Sequence, residues 1–261
     1  MLMCPPRFFR IAYSINPWMK GSLVDTTKAH SQWQTLRYTI ELAGVDCKLI
    51  EPQYDYPDMV FTANAGLVHG GKVVLSNFKH QERLGEQYFF RDWFLDHGYD
   101  VYDLPYNLKF EGRGDCFIHK GKLIGGYGYR SDRKALKLAA EILDLKPVIF
   151  KLQDPRFYHL DTCLSIIDPE NDIAIYYPGA FSRLRKPSWG TGLKLLPVEE
   201  WEAERFACNS VTIGKNIIMP ARARGTKIMH ELRMMGYNVI EVHMSEFMKS
   251  GGAARCLVLE L

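Results

Sequence analysis

No stretch of this 261-residue chain holds the roughly 20 consecutive apolar residues that a membrane-spanning helix requires. A secretory leader is missing as well. Pro5 and Pro6 interrupt MLMCPPRFFRIAYS where a signal peptide carries its apolar core, and no small-residue cleavage site follows. Neither sign of charge is in excess. The 33 basic and 30 acidic side chains leave a net charge of +3, and the basic residues are scattered, so nothing electrostatic favours nucleic acid or a membrane surface. Paired cysteines are absent too. Cys4, Cys47, Cys116, Cys163, Cys208 and Cys256 stand singly with no CxxC, which argues against a thiol-rich zinc site. A chain of this length buries a core without disulfide staples. Reduced thiols and a cytoplasmic protein are the expectation.

What is present is a repeat. NAGLVHGGKVVLSNF (64–78) reads as strand, Gly-Gly turn, strand; GDCFIHKGKLIGGYG (114–128) repeats it around Lys-Gly. DTCLSIIDPENDIAIYYPGAF (161–181) and CNSVTIGKNIIMPA (208–221) repeat it again. Helical patterns follow over 82–97, 131–143, 198–206 and 225–235, with Gly98 and Gly236 as stops and Ser131 as an N-cap. Further strands are predicted at Tyr99–Leu104, Pro147–Leu152 and Tyr237–Val242. A fifth unit is split between the ends: strands at Phe8–Ser14, Asp46–Ile50 and Cys256–Leu261 around a helix at Ser31–Ala43. Closing such units into a ring hides every sheet edge; an open α/β sheet is the alternative.

Chemically able residues cluster where the hairpins begin, in PDMVFTANAG (57–66), FEGRGD (110–115), FYHLDTC (157–163) and GGAARC (251–256). In a ring these entrances converge on one mouth. Cys256 follows Gly251-Gly252, which permits close backbone approach and suits a presented nucleophile better than a core thiol. Alternation along an extended 158–161 puts His159 and Asp161 on one face, apt for acid/base work. Glu111 and Asp115 flank a buried strand entrance and need a partner there. Asp58, Phe61 and Asn64 come from one Pro-stiffened loop. Carboxylates at 58, 111, 115 and 161 would hold a planar cation, and a thiol needs an electrophilic carbon; a guanidinium supplies both.

Taken together, these motifs resemble the guanidino-group-modifying (pentein) superfamily across nearly the whole chain. The resemblance implies an α/β fold, a five-bladed α/β propeller with pseudo-fivefold repeats, formed by a single catalytic domain over residues 1–261. It implies Cys256 as nucleophile, His159 as general acid/base and Glu111 as the carboxylate paired with it. It further implies Asp161 as a guanidinium ligand, Arg130 and Arg83 as arginines gripping the α-carboxylate, and Asn16 on a loop over the mouth. No metal or organic cofactor is required, and the partner is a small molecule, arginine or a methylated arginine. Deiminases of the family carry aspartate where Phe61-Thr62-Ala63-Asn64 places an asparagine. That exchange resembles the arginine dihydrolase branch, which converts arginine to ornithine, two ammonia and carbon dioxide. Arginine deiminase and dimethylarginine dimethylaminohydrolase are the nearest alternatives; an amidinotransferase and a non-catalytic ribosome-binding member are remoter.

Overall fold

The computed structural model describes residues 1–182, 188–221 and 225–261. Four three-stranded sheets repeat one topology: an antiparallel hairpin whose second strand pairs in parallel with a third. The hairpins are Gly66–His69 with Lys72–Leu75, Cys116–His119 with Lys122–Tyr127, Leu164–Asp168 with Ile173–Tyr176, and Val211–Ile213 with Asn216–Pro220. Their third strands are Asp100–Tyr102, Lys146–Lys151, Lys194–Pro197 and Asn238–Val242. The tight turns follow from the sequence. Gly70 and Gly71 have φ of 57° and 80°, and Lys120 and Gly121 have 45° and 71°, the double left-handed backbone that matches strand twist.

The fifth sheet closes the propeller and joins the two ends of the chain. Leu2–Met3 runs parallel to Lys48–Leu49, and Leu2 also exchanges backbone hydrogen bonds with Leu259. Adjacent blades are tied by Asn77 to Phe110 and by Leu152 to Phe181. The buried Thr62 hydroxyl lies 3.0 Å from the Leu2 carbonyl and 2.8 Å from that of Leu257, at the seam of the split blade. The expected five-bladed α/β propeller is thus the observed architecture.

Helices pack outside the sheets, and Arg133–Ile142 shows why. Ala135, Leu136, Ala139 and Ala140 form its buried stripe. Gly125 on the strand beneath leaves room for Leu136, whose methyls lie 3.1–3.2 Å from where a Cβ would stand.

Several sequence expectations need correction. Phe8–Ser14 is not a strand; Leu2–Met3 is. Cys256–Leu261 is not a strand either. Arg255–Leu257 is a 3-10 turn, and the N–H groups of Arg255 and Cys256 are taken by a side chain, Asn209, instead of a ladder. In the third sheet the strand Lys194–Pro197 follows the short helical turn Ser188–Thr191, and the helical segment expected over 198–206 is a turn, Glu200–Ala203, that comes after this strand. Ser131 is not the N-cap; Asp132 occupies that position. The Ser131 hydroxyl instead donates to Asp115 and accepts from the Glu111 N–H. Among the described residues no helix is long and apolar enough to cross a membrane.

Candidate active site

Three of the four hairpins are entered through a short helical turn, and these turns and the residues just before them carry polar groups. Thr62–Ala65, Gly112–Asp115, Leu160–Thr162 and Arg255–Leu257 all precede or replace a first strand. The Gly112–Asp115 turn fits only as glycine begins it. Gly112 has φ +55°, and a Cβ there would meet the backbone of Gly66 at 2.5–2.7 Å. His159 is extended (φ −117°, ψ 152°) between Tyr158, which closes one 3-10 turn with φ −74° and ψ −16°, and the next 3-10 turn, Leu160–Thr162. The extended run expected over 158–161 is therefore not formed. The Thr162 hydroxyl donates to the His159 carbonyl at 2.6 Å and locks that bend.

Glu111, His159 and Arg130 form a buried cluster. His159 Nε2 lies 2.8 Å from Glu111 Oε2, and Arg130 Nη1 donates to the same oxygen at 2.9 Å. Glu111 Oε1 accepts from the Lys79 N–H at 3.1 Å. Burial opposes the Glu111 charge, but Arg130 and the His159 hydrogen bond outweigh it and hold its carboxyl well below the usual range. For His159 the balance falls the other way. Burial pushes the imidazole down to about 4 despite Glu111, so the ring is neutral at neutral pH. With Nε2 donating to an ionised carboxylate, Nδ1 carries the lone pair.

Cys256 is 3% exposed and makes two polar contacts through sulfur. Asn209 Nδ2 donates to Sγ at 3.1 Å, and Sγ lies 3.4 Å from Asp161 Oδ2. Asn209 also organises the turn: its Oδ1 accepts from the N–H groups of Ala253, Arg255 and Cys256 at 3.1–3.3 Å. Burial, then Asp161, raises the Cys256 thiol well above its ordinary value. Burial likewise pushes Asp161 up to about 7, against the pull of Arg255. Its Oδ1 has no hydrogen-bond partner among the described residues.

Gly251-Gly252 is explained by crowding. A Cβ on Gly251 would meet the Tyr158 hydroxyl at 2.8 Å and Asn16 Oδ1 at 2.9 Å. One on Gly252 would meet the Phe61 ring at 2.6 Å and Cys256 Cβ at 3.2 Å. The glycines let the chain pass between the aromatic wall and the thiol.

Cys256, His159, Phe61, Asn64, Asp58, Arg83, Arg130 and Asn16 all line one cavity, closed down to about 10 Å³. Asn16 arches over it, donating to the Ser250 carbonyl at 3.0 Å, while Trp18 Nε1 reaches the Arg156 carbonyl at 2.8 Å. Arg83 differs from the expectation of a free carboxylate grip. It makes four hydrogen bonds to the protein: two to Glu86, one to the Asp58 carbonyl and one to Asn64 Oδ1. Because Arg83 only donates, it fixes the Asn64 amide with Oδ1 toward itself. Asn64 Nδ2 is then left buried without a partner among the described residues. Arg130 stacks on Tyr158 at 4.6 Å and donates to the Ile15 carbonyl. Asp58 Oδ1 likewise has no partner among the described residues, while Oδ2 accepts from Tyr13.

Asp115 does not line this cavity. Its oxygens accept from Ser131 Oγ at 2.6 Å and the Leu160 N–H at 3.2 Å, which tie two entrance turns together. Asp161 and Glu111 sit just behind the lining, under Cys256 and His159. Asn209, Tyr158 and Tyr13 were missed from sequence. Asn209 had a usable signal: it stands at the entrance of the hairpin at 208–221, as the other entrance residues do in theirs. Among the other histidines, His119 has a carboxylate partner, Asp172 at 2.7 Å, beside the Lys120-Gly121 turn at the far end of its hairpin.

Two outcomes are expected. Asn209→Leu keeps the volume but leaves three buried N–H groups without this acceptor. The Arg255 N–H keeps the backbone carbonyl of residue 209 at 3.3 Å, so two groups are left unsatisfied. At about 1–3 kcal/mol for each, urea unfolding should show a loss of about 2 kcal/mol or more; a loss below about 1 kcal/mol would contradict the role. The second outcome concerns pH. The free site holds a proton on Asp161 below about 7. A bound cation favours the ionised carboxylate, so binding releases that proton, and affinity rises with pH up to about 7 and then levels. Titration calorimetry of arginine with Cys256→Ser should show this slope, at most about tenfold per pH unit for one linked proton. Equal affinity from pH 5.5 to 8 would sink it.

The chain is similar to known proteins over its whole length. A bifunctional arginine dihydrolase/ornithine cyclodeaminase from Synechocystis is 44% identical over 273 residues, matching 100% of this chain but 37% of that protein. This chain thus spans little more than a third of that longer relative. An N(G),N(G)-dimethylarginine dimethylaminohydrolase from Mycobacterium tuberculosis is 38% identical, covering 99% of this chain and 84% of its own length. Among solved structures, the N-terminal domain of the cyanobacterial arginine dihydrolase ArgZ, a cysteine-to-serine variant bound to substrate, superposes with a TM-score of 0.92 at 40% identity. That match covers 99% of this chain and 96% of the solved one. The family model described as N,N dimethylarginine dimethylhydrolase, eukaryotic, matches residues 15–261, and the chain belongs to that family of guanidino-group-modifying enzymes.

Proposed function

We propose that residues 1–261 act as one catalytic domain, a cysteine-dependent hydrolase of the arginine guanidinium group, with arginine dihydrolysis as the reaction. The observation that carries the dihydrolase reading is Asn64, which lines the cavity and is held by Arg83 so that its buried Nδ2 has no hydrogen-bond partner among the described residues.

The steps follow from the groups in place. A guanidinium entering beside Asp161 favours the ionised form of that buried acid and lowers the cost of ionising Cys256. The thiolate adds to the guanidinium carbon. His159, neutral and braced by Glu111, takes the thiol proton through Nδ1 and delivers it to the departing nitrogen, releasing ammonia. The S-amidino adduct is then attacked by a water that His159 deprotonates, and citrulline forms as the sulfur leaves. Citrulline carries a neutral ureido group with a carbonyl oxygen. Asn64 Nδ2 offers a donor to that oxygen; an aspartate there offers only acceptors. Held in place, the ureido carbon takes a second attack, a second ammonia leaves, and water releases a carbamate that loses carbon dioxide to give ornithine. Arg130 and Asp58 are the groups for the substrate's α-carboxylate and α-ammonium, and the segment bearing Asn16 opens to admit it. A reducing, cytoplasmic setting suits the thiol.

A second reading, hydrolysis of methylated arginines, is favoured by the family model and the Mycobacterium relative. Mass spectrometry of purified enzyme offered arginine, methylated arginines and agmatine together separates the readings. Ornithine with two ammonia from arginine is expected, and Asn64→Asp should stall at citrulline with ornithine formation lowered about 100-fold, the scale of losing a preorganised donor. Citrulline as the final product of the unsubstituted enzyme would refute double hydrolysis; dimethylamine as the preferred product would establish the second reading.

A further inference from the structure

A second cavity lies away from the mouth, where the hairpin turns end. It measures about 390 Å³ and opens between the Asp168–Asn171 and Gly214-Lys215 turns. Arg113, Arg255, Ser165, Ser210 and Thr212 line it, and none of them lines the catalytic cavity.

Two of these residues are buried guanidinium groups, 8% and 2% exposed. They share one carboxylate. Arg113 Nε and Nη2 donate to Glu260 Oε2 at 3.1 and 3.0 Å, and Arg255 Nη1 donates to Oε1 at 2.9 Å. Two buried cations share this one hydrogen-bonded anion, and Asp161 is a further carboxylate whose charge reaches both. Burial, and then Arg255, pushes Arg113 down to about 10. Donors are also in surplus. Arg255 Nε and Nη2 and the Thr212 hydroxyl have no partner among the described residues. Ser165 and Ser210 hydroxyls lie 2.9 Å apart, and when one donates to the other a proton is left to give. Glu260 is 47% exposed in its side chain, but both arginines hold its carboxyl down to about 2, so an entering anion has to take over those hydrogen bonds as it displaces the carboxylate.

We propose that this cavity binds a small oxyanion, a carboxylate or phosphate group, on Arg255 and Thr212, with Glu260 as the tethered anion it competes against. The rim limits what enters. Asp168 and Glu170 stand there with Lys215. The Asp168 oxygens are engaged by Asn171 and Tyr237, so they add negative charge without free acceptors needing a cation. A single oxyanion head fits this balance; a polyanion would be repelled.

The test is titration calorimetry with inorganic phosphate and, separately, with acetate, at ionic strength fixed by sodium chloride. Saturable binding of at least one is expected, and the tighter one identifies the head group. Thr212→Val should weaken it by at least about threefold, one neutral hydrogen bond. Glu260→Gln, which removes the resident competitor's charge, should tighten it by at least about fivefold. No saturation beyond the chloride control overturns the proposal. So does equal affinity in the unsubstituted protein and both variants, which would place the ion elsewhere.

Discussion

Burying negative charge without a matching cation is the constraint on which this site depends. Asp58 and Asp161 are each raised by burial, and each keeps one oxygen without a partner among the described residues. Those groups destabilise the empty site progressively as pH rises above the ordinary carboxylate range, because the unfolded chain ionises there and the folded one resists. A flat cation relieves the resistance. Its arrival ionises the acids and eases loss of the thiol proton, so binding and activation of the nucleophile draw on one electrostatic source. Glu111 stands apart from this: Arg130 and His159 keep it ionised, and it serves as the fixed partner that sets which imidazole nitrogen faces outward.

The propeller makes the arrangement possible. Each blade is stable through its own sheet and outer packing, so the short turns at the strand entrances are free to carry polar groups. Their positions are then set by hydrogen bonds between turns rather than within them. Asp115 joins the second hairpin's entrance to the third through the Leu160 N–H, and Asn209 joins the fourth to the C-terminal turn. Neither residue needs to touch substrate. Without them the thiol and the imidazole would belong to independently moving loops, and a small displacement at the reacting atoms is costly. The larger cavity at the other end, with Arg255 one residue from Cys256 in the same turn, lies on the same central line of entrances.

Much of this was legible in the residues themselves. The Gly-Gly and Lys-Gly turns located two hairpins because left-handed backbone has few residue solutions, and the entrance motifs located Cys256, His159, Glu111 and Asn64 on convergent turns. The split blade was readable only in outline. Phe8–Ser14 has the composition of a strand, but its side chains pack aromatically, Phe9 on Phe61 and Phe247, while the strand itself is the two-residue Leu2–Met3. Cys256–Leu261 looked like a strand because apolar runs do not reveal that Asn209, 47 positions away, claims the backbone donors. Arg83 was misread for a related reason: a guanidinium looks the same in sequence whether its donors meet substrate or Glu86. Asp115 shares that ambiguity, being an acid at an entrance whose partners, Ser131 and Leu160, lie on other elements.

The most direct measurement is on the thiol. Enzyme turning over arginine is quenched in acid, digested and examined by peptide mass spectrometry. An amidino-bearing adduct on the peptide containing Cys256 is expected, absent when arginine is omitted and absent from Cys256→Ser. Full turnover by Cys256→Ser, or an adduct carried only by half-exposed Cys47, would contradict attack by Cys256 from the acidic hollow.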